Sequence, residues 1–326
     1  MKKVLQLSLT KTLVFILTGL MLFCVVQSCK KDTEETECST PIEPFNHQVS
    51  FNYEYDISGM NDTMRDNVLT ADIVLFHSDD MAMTWNTLKA EFLRADNAFR
   101  TVGVQLNLKK AVNVTFPAEW NNQLAYNLLD LPDSAVNPAF YDMYNTTKPT
   151  LTDTIKIAFK DFTYDEENKA RTIFVLPLKG VKIVFAQQNP DSTWKVSNPV
   201  ATGALSFPTY ILQNRIPRNY RGIITMEQSS AVTLAHELGH KLINVSHEGL
   251  NISPAFSGSS IPGLMGYGGS TTIYGGQSGR WHQERLLLSP FLYKMNSGTR
   301  TYNPDYSGNG SYNDAIYGSY VMAGNF

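Results

Sequence analysis

The chain has 326 residues, of which 43% are apolar and 17% are charged, and its formal net charge at pH 7 is −3. This length allows one large hydrophobic core or two small ones. Because the balance is slightly acidic and no basic run is present, we expect no nucleic-acid partner.

The first 28 residues have the pattern of a secretory signal peptide. Lys2, Lys3 and Lys11 precede an apolar run of about 15 residues, which is shorter than the roughly 20 that span a bilayer as a helix. The junction VQSC, which ends at Cys29, resembles the lipobox of bacterial lipoproteins, although its glutamine is an unusual member. The resemblance implies that Cys29 becomes the lipidated first residue of the mature chain. The alternative is an ordinary secreted protein that is cleaved nearby.

Residues 29–45 are charged, contain Pro and Thr, and have few large apolar groups, so we expect a flexible tether. The acidic stretch after Cys29 resembles signals that send some lipoproteins to the outer surface of diderm bacteria. The resemblance implies a location in the cell envelope, lipid-anchored at the outer membrane or the cell surface.

Residues 46–326 contain no internal repeat and no clear linker, which predicts a single α+β domain with helices packed on a mixed, twisted sheet. Before the motif described below, apolar spacing predicts two helices, at 81–102 and 118–131. Asp79 or Asp80 is the expected N-cap of the first helix and Gly103 its end. The expected strands are 49–57, 68–77, 104–116, 155–159, 172–178, 181–186, 201–207 and 222–226. We expect a polar loop at 187–200 and little regular structure after 296.

The stretch HELGHKLINVSH, residues 236–247, carries the strongest chemical signal in the chain. It lies on a predicted helix that Ser229 or Ser230 can cap. His236 and His240 are four residues apart, so they share one helix face and can bind one metal ion, whereas Glu237 is rotated by about 100°. Zinc lowers the pKa of a bound water, and a neighbouring carboxylate can accept the proton. The pattern therefore predicts a Zn2+ site with His236 and His240 as ligands and Glu237 as the base.

A catalytic zinc usually has three protein ligands, and His247 is the candidate for the third. The region resembles the metzincin metallopeptidases, whose pattern is H-E-x-x-H-x-x-G-x-x-H. Here Asn244 stands at the glycine position counted back from His247, and asparagine tolerates the left-handed conformation well. The resemblance implies that Asn244 turns the chain so that His247 binds the metal. The extra residue then lies at Ile243 or nearby, as a longer helix or a bulge.

PGLMGYG, residues 262–268, resembles the metzincin Met-turn, with Met265 beneath the metal. The sequence Met265-Gly266-Tyr267 fits the M-x-Y form of astacins and serralysins, which implies that Tyr267 binds the metal or supports the transition state. The alternatives are an ordinary core methionine and an aromatic residue in a Gly-rich loop. Residues 278–293 resemble the helix that follows the Met-turn, where we interpret His282 as structural or as a support to the ligands. We expect His47 and His77 not to be ligands.

The resemblance covers about residues 68–295, and both the astacin-like and the pappalysin-like subfamilies fit. It implies a membrane-anchored, monomeric zinc endopeptidase that acts on protein or peptide substrates. One alternative is a surface-binding lipoprotein without catalysis. The late third histidine favours this alternative, whereas the intact Glu237 argues against it. Another is a zinc hydrolase of cell-wall amide bonds, which could use the same residues.

Overall fold

The computed structural model describes the greater part of residues 49–304, and every described residue belongs to one compact unit, Pro44–Phe326. The described ranges are 49–122, 124–127, 171–188, 191, 194–196, 198–206, 223–228, 230–245, 263–266, 269–276, 279 and 281–304. The predicted signal peptide, tether and strand at 155–159 lie outside these ranges. No helix within them has the length and hydrophobicity that a membrane crossing requires.

The described elements are a mixed sheet and a few helices, which agrees with the predicted α+β class. The strands are β1 Ser50–Glu54, β2 Leu69–His77, β3 Val104–Thr115, β4 Leu124–Asn127, β5 Thr172–Leu176, β6 Lys182–Gln188, β7 Trp194–Val196, β8 Val200–Ala201, β9 Ala204–Leu205, β10 Ile223–Met226, β11 Leu292–Asn296 and β12 Thr299–Tyr302. The helices are α1 Trp85–Arg100, α2 Thr233–Leu242 and α3 His282–Leu287.

Eight of the described strands form one mixed sheet, whose main path is β1-β3-β2-β5-β10-β9. The four central strands β3, β2, β5 and β10 are parallel, while β1 and β9 pair antiparallel at the two ends of this path. The hairpin β11–β12 joins through β11, which pairs antiparallel with the start of β2. Strands β4, β6, β7 and β8 form a smaller second sheet.

The core lies between the large sheet and the helices α1 and α2. All but the first residue of β2 are buried, as expected for a central strand that is covered on both faces. Its Ala71, Ile73 and Leu75 pack in one cluster with apolar side chains of both helices. These helical members include Leu88, Phe92 and Phe99 from α1 and Leu234, Leu238 and Leu242 from α2. Each fully buried side chain of this size contributes about 1.5–3 kcal/mol, so α2 is held against the sheet mainly by this face.

Helix α1 ends as predicted but begins later than predicted. The residue that caps it is Thr84, whose hydroxyl accepts the Thr87 N–H at 3.2 Å. The predicted caps Asp79 and Asp80 are therefore wrong. At the other end, Gly103 has φ +82°, a left-handed conformation that glycine adopts without strain.

The predicted helix at 118–131 is wrong over its described residues. A single 3-10 turn, Ala118–Trp120, is followed by Asn122 at φ +59° and then by β4. Trp120 is fully buried beside Phe116, with ring centres 5.1 Å apart, and β4 pairs parallel with β6. Tertiary packing and strand pairing thus override the local helical pattern.

Two segments predicted as irregular contain strands. The predicted loop at 187–200 includes the end of β6, all of β7 and the start of β8, because β7 and β8 both pair antiparallel with β6. After residue 296, β12 returns along β11 through Ser297 and Gly298, which have φ +48° and +81°. Two consecutive positive φ values are typical of the two-residue turns that join hairpin strands. The Ser-Gly pair was therefore the sequence feature that could have predicted this hairpin.

A buried carboxylate joins the hairpin to the centre of the sheet. Asp72 on β2 is 1% exposed and accepts hydrogen bonds from Asn107 Nδ2 and Tyr293 Oη, both at 2.7 Å. Arg300 Nη1 lies 2.8 Å from the other carboxylate oxygen, and its guanidinium stacks on the Tyr293 ring. Burial and the Asp72 charge together raise the pKa of Tyr293, which keeps its hydroxyl protonated as a donor.

Replacing Asp72 with alanine should destabilise the domain by about 3 kcal/mol, because it leaves a cation and two polar groups without their buried acceptor. The control is Glu54→Gln, which breaks the exposed pair with Lys110 and should cost less than about 1 kcal/mol. Urea unfolding of the two variants measures both values. Equal losses would show that the Asp72 cluster contributes no more than a surface pair.

Candidate metal centre

Helix α2 carries His236, Glu237 and His240, and its first turn is held by another helix. Its N-cap is Val232, which offers no side-chain cap. Ser230 Oγ bonds to Thr233 Oγ1 instead, so the predicted cap by Ser230 is wrong, and Ser229 lies outside the described residues.

The first-turn N–H of Leu234 donates instead to Glu91 Oε2 of α1, at 3.3 Å. Glu91 is 1% exposed, and its other oxygen accepts from Arg94 Nη2 at 2.8 Å. A carboxylate at this position also stabilises the positive end of the helix dipole. Glu91 was not identified as a cap from the sequence. An acidic residue on the core side of α1, three residues after Leu88, was the feature that could have indicated it.

The imidazoles of His236 and His240 lie side by side on α2. Their ring centres are 4.8 Å apart and their planes are nearly perpendicular, at 88°. Two imidazoles that share one tetrahedral zinc at about 2.1 Å have ring centres about 5 Å apart. The spacing of the two rings therefore fits a shared metal ion.

Each of these imidazoles has its Nδ1 within 2.7 Å of a backbone carbonyl: His236 bonds to Leu264 O and His240 to Val245 O. A carbonyl oxygen only accepts, so Nδ1 carries the proton in both rings and the lone pair is on Nε2. Histidine ligands of zinc are usually oriented by this kind of hydrogen bond. Burial lowers the pKa of His236, against the opposing effect of the Leu264 carbonyl. The ring is thereby kept neutral, as a metal ligand must be.

Glu237 lies beside the two histidines and is only 7% exposed. Among the described residues, no group hydrogen-bonds its Oε2. Burial raises the pKa of Glu237 to about 8, and the buried ammonium of Lys241 one turn later opposes this increase. Burial likewise lowers the pKa of Lys241 to about 7, against the effect of Glu237. A buried carboxyl oxygen without a hydrogen-bond partner is costly to keep in a core, which is typical of a group that serves chemistry rather than stability.

The C-terminus of α2 has the turn that the sequence predicts. Ile243 is the C-cap of α2, and its N–H donates to Gly239 O at 2.9 Å, which is a regular α-helical bond, so the end of the helix has no bulge. Asn244 follows with φ +59° and is fully buried. This left-handed residue brings the Val245 carbonyl back to His240. Residues 246 and 247 lie outside the described residues.

The turn at 263–266 packs directly under α2. Met265 is 1% exposed, and a side chain added at Gly239 would meet its sulfur. Gly263 has φ +126°, and a Cβ there would collide with Thr272 O and the Tyr274 ring. Leu264 N–H donates to Thr272 O at 2.8 Å, while Leu264 O accepts from His236. Glycine at 239 therefore allows the close approach of turn and helix, and glycine at 263 allows the turn to pack against Thr272 and Tyr274.

The structure thus gathers five of the predicted site residues: His236, Glu237, His240, Asn244 and Met265. Cys29, His247 and Tyr267 lie outside the described residues. Within the described ranges, no three His, Cys, Asp or Glu side chains are grouped so that they could hold a metal ion, and His247 would have to complete the predicted set.

The other predicted histidines have different surroundings. His77 hydrogen-bonds through Nδ1 to Tyr55 Oη and through Nε2 to Met83 O, so both ring nitrogens have protein partners. His282 is buried at the start of α3, and His47 lies outside the described residues.

Comparison of the chain with protein-family models gave no match, and comparison with curated proteins gave no significant match.

Replacing Glu91 with glutamine should loosen the start of α2, because the cap loses its charge. The matched control is Asp96→Asn on the same helix: Asp96 is also buried and pairs with an arginine, but it accepts the Leu106 N–H of β3. Hydrogen exchange should rise at Leu234 and its neighbours in the first variant and near Leu106 in the second. Equal protection of Leu234 in both variants would contradict the capping role of Glu91.

Proposed function

We propose that this chain is a zinc-dependent endopeptidase of the metzincin clan, anchored in the bacterial cell envelope through a lipid on Cys29. The observation that carries the proposal is the pair of histidines on α2. Each has its Nδ1–H bound to a backbone carbonyl, and a buried glutamate without a protein partner at Oε2 lies between them in sequence. A helix face of this composition has no evident structural use, since an apolar face would stabilise the core better.

In this proposal His236 and His240 hold the zinc through Nε2, and His247 is the third ligand. The zinc supplies Lewis-acid chemistry for hydrolysis. Glu237 accepts a proton from the attacking water at Oε2 and returns it to the leaving amine nitrogen. Lys241 lies one turn beyond Glu237, and its positive charge favours the ionised carboxylate that accepts the proton. Tyr267 is the proposed support for the transition state.

The order of elements supports the metzincin proposal. The chain runs from β2 through α1, β3 and β5 to the antiparallel strand β9, then through β10 to the histidine helix, which contains the family's strand, helix, strands, edge strand and zinc helix in that order, with β4 and β6–β8 as further strands. Strand β9 ends the main path of the sheet among the described strands. An extended peptide can bind beside such a strand through main-chain hydrogen bonds. The buried methionine turn under α2 also agrees with the family pattern.

The left-handed Asn244 supports His247 as the third ligand. A fully buried turn with φ +59° directly after the helix reverses the chain toward the face that carries His240. Three further residues are enough to return a side chain to that face. In this proposal the late position of the third histidine follows from a helix that ends at Leu242 and continues regularly into its C-cap, Ile243.

Replacing Glu237 with glutamine should abolish proteolysis while leaving the metal in place. Purified residues 30–326 should bind about one zinc and cleave casein, and Glu237→Gln should lower kcat/KM by about 10²–10⁴-fold, because the base is lost. Glu227→Gln, which removes a carboxylate that accepts the Gly180 N–H, is the control and should retain activity. Zinc content of each variant is measured in parallel.

Casein cleavage that survives Glu237→Gln would overturn the proposed role of the base. A peptidoglycan arm separates the substrate classes: release of cell-wall fragments without casein cleavage would assign the site to cell-wall amides. Protein that binds no zinc and hydrolyses neither substrate would favour a surface-binding lipoprotein.

A further inference from the structure

Arg285 on α3 is a buried cation whose hydrogen bond reaches the end of the histidine helix. It is 2% exposed, and its Nη2 donates to Asn244 O at 3.0 Å. Burial of a guanidinium is costly unless it makes strong hydrogen bonds. A smaller apolar side chain could fill the core, so the contact with Asn244 needs a reason beyond packing.

The carbonyl that Arg285 holds belongs to the turn that orients His240. Asn244 is the left-handed residue after α2, and the next carbonyl along the chain, Val245 O, accepts the His240 Nδ1–H at 2.7 Å. Two successive peptide groups are therefore fixed, one by Arg285 and the other by His240. A positive charge at this point also stabilises the carbonyl-rich end of α2.

Helix α3 also bonds to residues beside Thr272, which holds the turn that orients His236. Gln283 Nε2 donates to Ile273 O at 2.8 Å, and the Gln283 N–H donates to Tyr274 O at 3.1 Å. One residue earlier, Thr272 O accepts the N–H of Leu264, whose own carbonyl bonds to His236. Helix α3 thus contacts the segment that presents Val245 O to His240, and it contacts the segment 272–274 that holds Leu264, whose carbonyl bonds to His236.

We propose that Arg285 is a positioning residue of the metal centre: by holding the Asn244 carbonyl it sets the direction of the Val245 carbonyl, and through it the ring of His240. This inference rests on the proposed zinc site and adds a role for a residue that touches neither metal nor substrate. Lysine at this position keeps the charge but reaches the carbonyl with a single-point donor instead of a planar fork.

The test uses metal binding and the visible absorption of the cobalt-loaded protein, for wild type and Arg285→Lys. Second-layer contacts of metal ligands typically change metal affinity about 10–100-fold, so Arg285→Lys should weaken zinc binding within that range. Its Co2+ absorption bands should also change, since they report ligand geometry.

The matched control is Arg171→Lys. Arg171 is a buried arginine that likewise donates to two backbone carbonyls, those of Pro290 and Asn303, and neither of these described contacts lies in a segment that bonds to His236 or His240. It should lower stability and leave both the zinc affinity and the Co2+ spectrum unchanged. If Arg285→Lys folds poorly, Asn244→Ala perturbs the same carbonyl from the other side and should weaken zinc binding within the same range.

Wild-type zinc affinity and an unchanged Co2+ spectrum in Arg285→Lys would overturn the inference and leave the zinc site standing. An equal loss of affinity in Arg171→Lys would also overturn it, because the effect would then follow stability alone. A wild-type protein that binds neither metal would remove the proposed function and this inference together.

Discussion

The hydrogen bonds from His236 and His240 to two backbone carbonyls are the constraint on which the rest of the site depends. Each bond places the proton on Nδ1 and the lone pair on Nε2, and each fixes the plane of its ring. The two acceptors come from different parts of the chain, one just after α2 and one in the turn at 263–266. Both segments must be held rigidly for the rings to share an ion.

The fold can be understood as the support for these two carbonyls. The apolar face of α2 seats the helix on the sheet, and Glu91 holds its first turn. Gly239 allows Met265 and its turn to approach the helix closely, while the left-handed Asn244 and Arg285 hold its far end. One short helix, α2, is therefore held by a glycine, a left-handed asparagine and two buried charges. These unusual residues lie together where the chemistry is proposed.

Much of this arrangement could be predicted because it is local. Apolar periodicity identified β2, β3, α1 and α2 to within a few residues, and the resemblance of HELGHKLINVSH to the metzincin pattern predicted the left-handed Asn244. What could not be predicted depends on distant contacts. Strand β4 forms because β6 pairs with it, and Glu91 meets Leu234 across 143 residues of chain. The Val245 and Leu264 acceptors are backbone atoms, which leave no trace in residue identity.

We propose above all that His236 and His240 hold a metal ion. The sharpest test is X-ray absorption at the zinc edge, measured on protein that is purified without added metal. We expect bound zinc with imidazole nitrogens at about 2.0–2.1 Å among its nearest neighbours. Two of these nitrogens should belong to His236 and His240, and the third to His247. The third should be lost in His247→Ala. Protein without zinc, or zinc whose spectrum lacks imidazole scattering, would contradict the account.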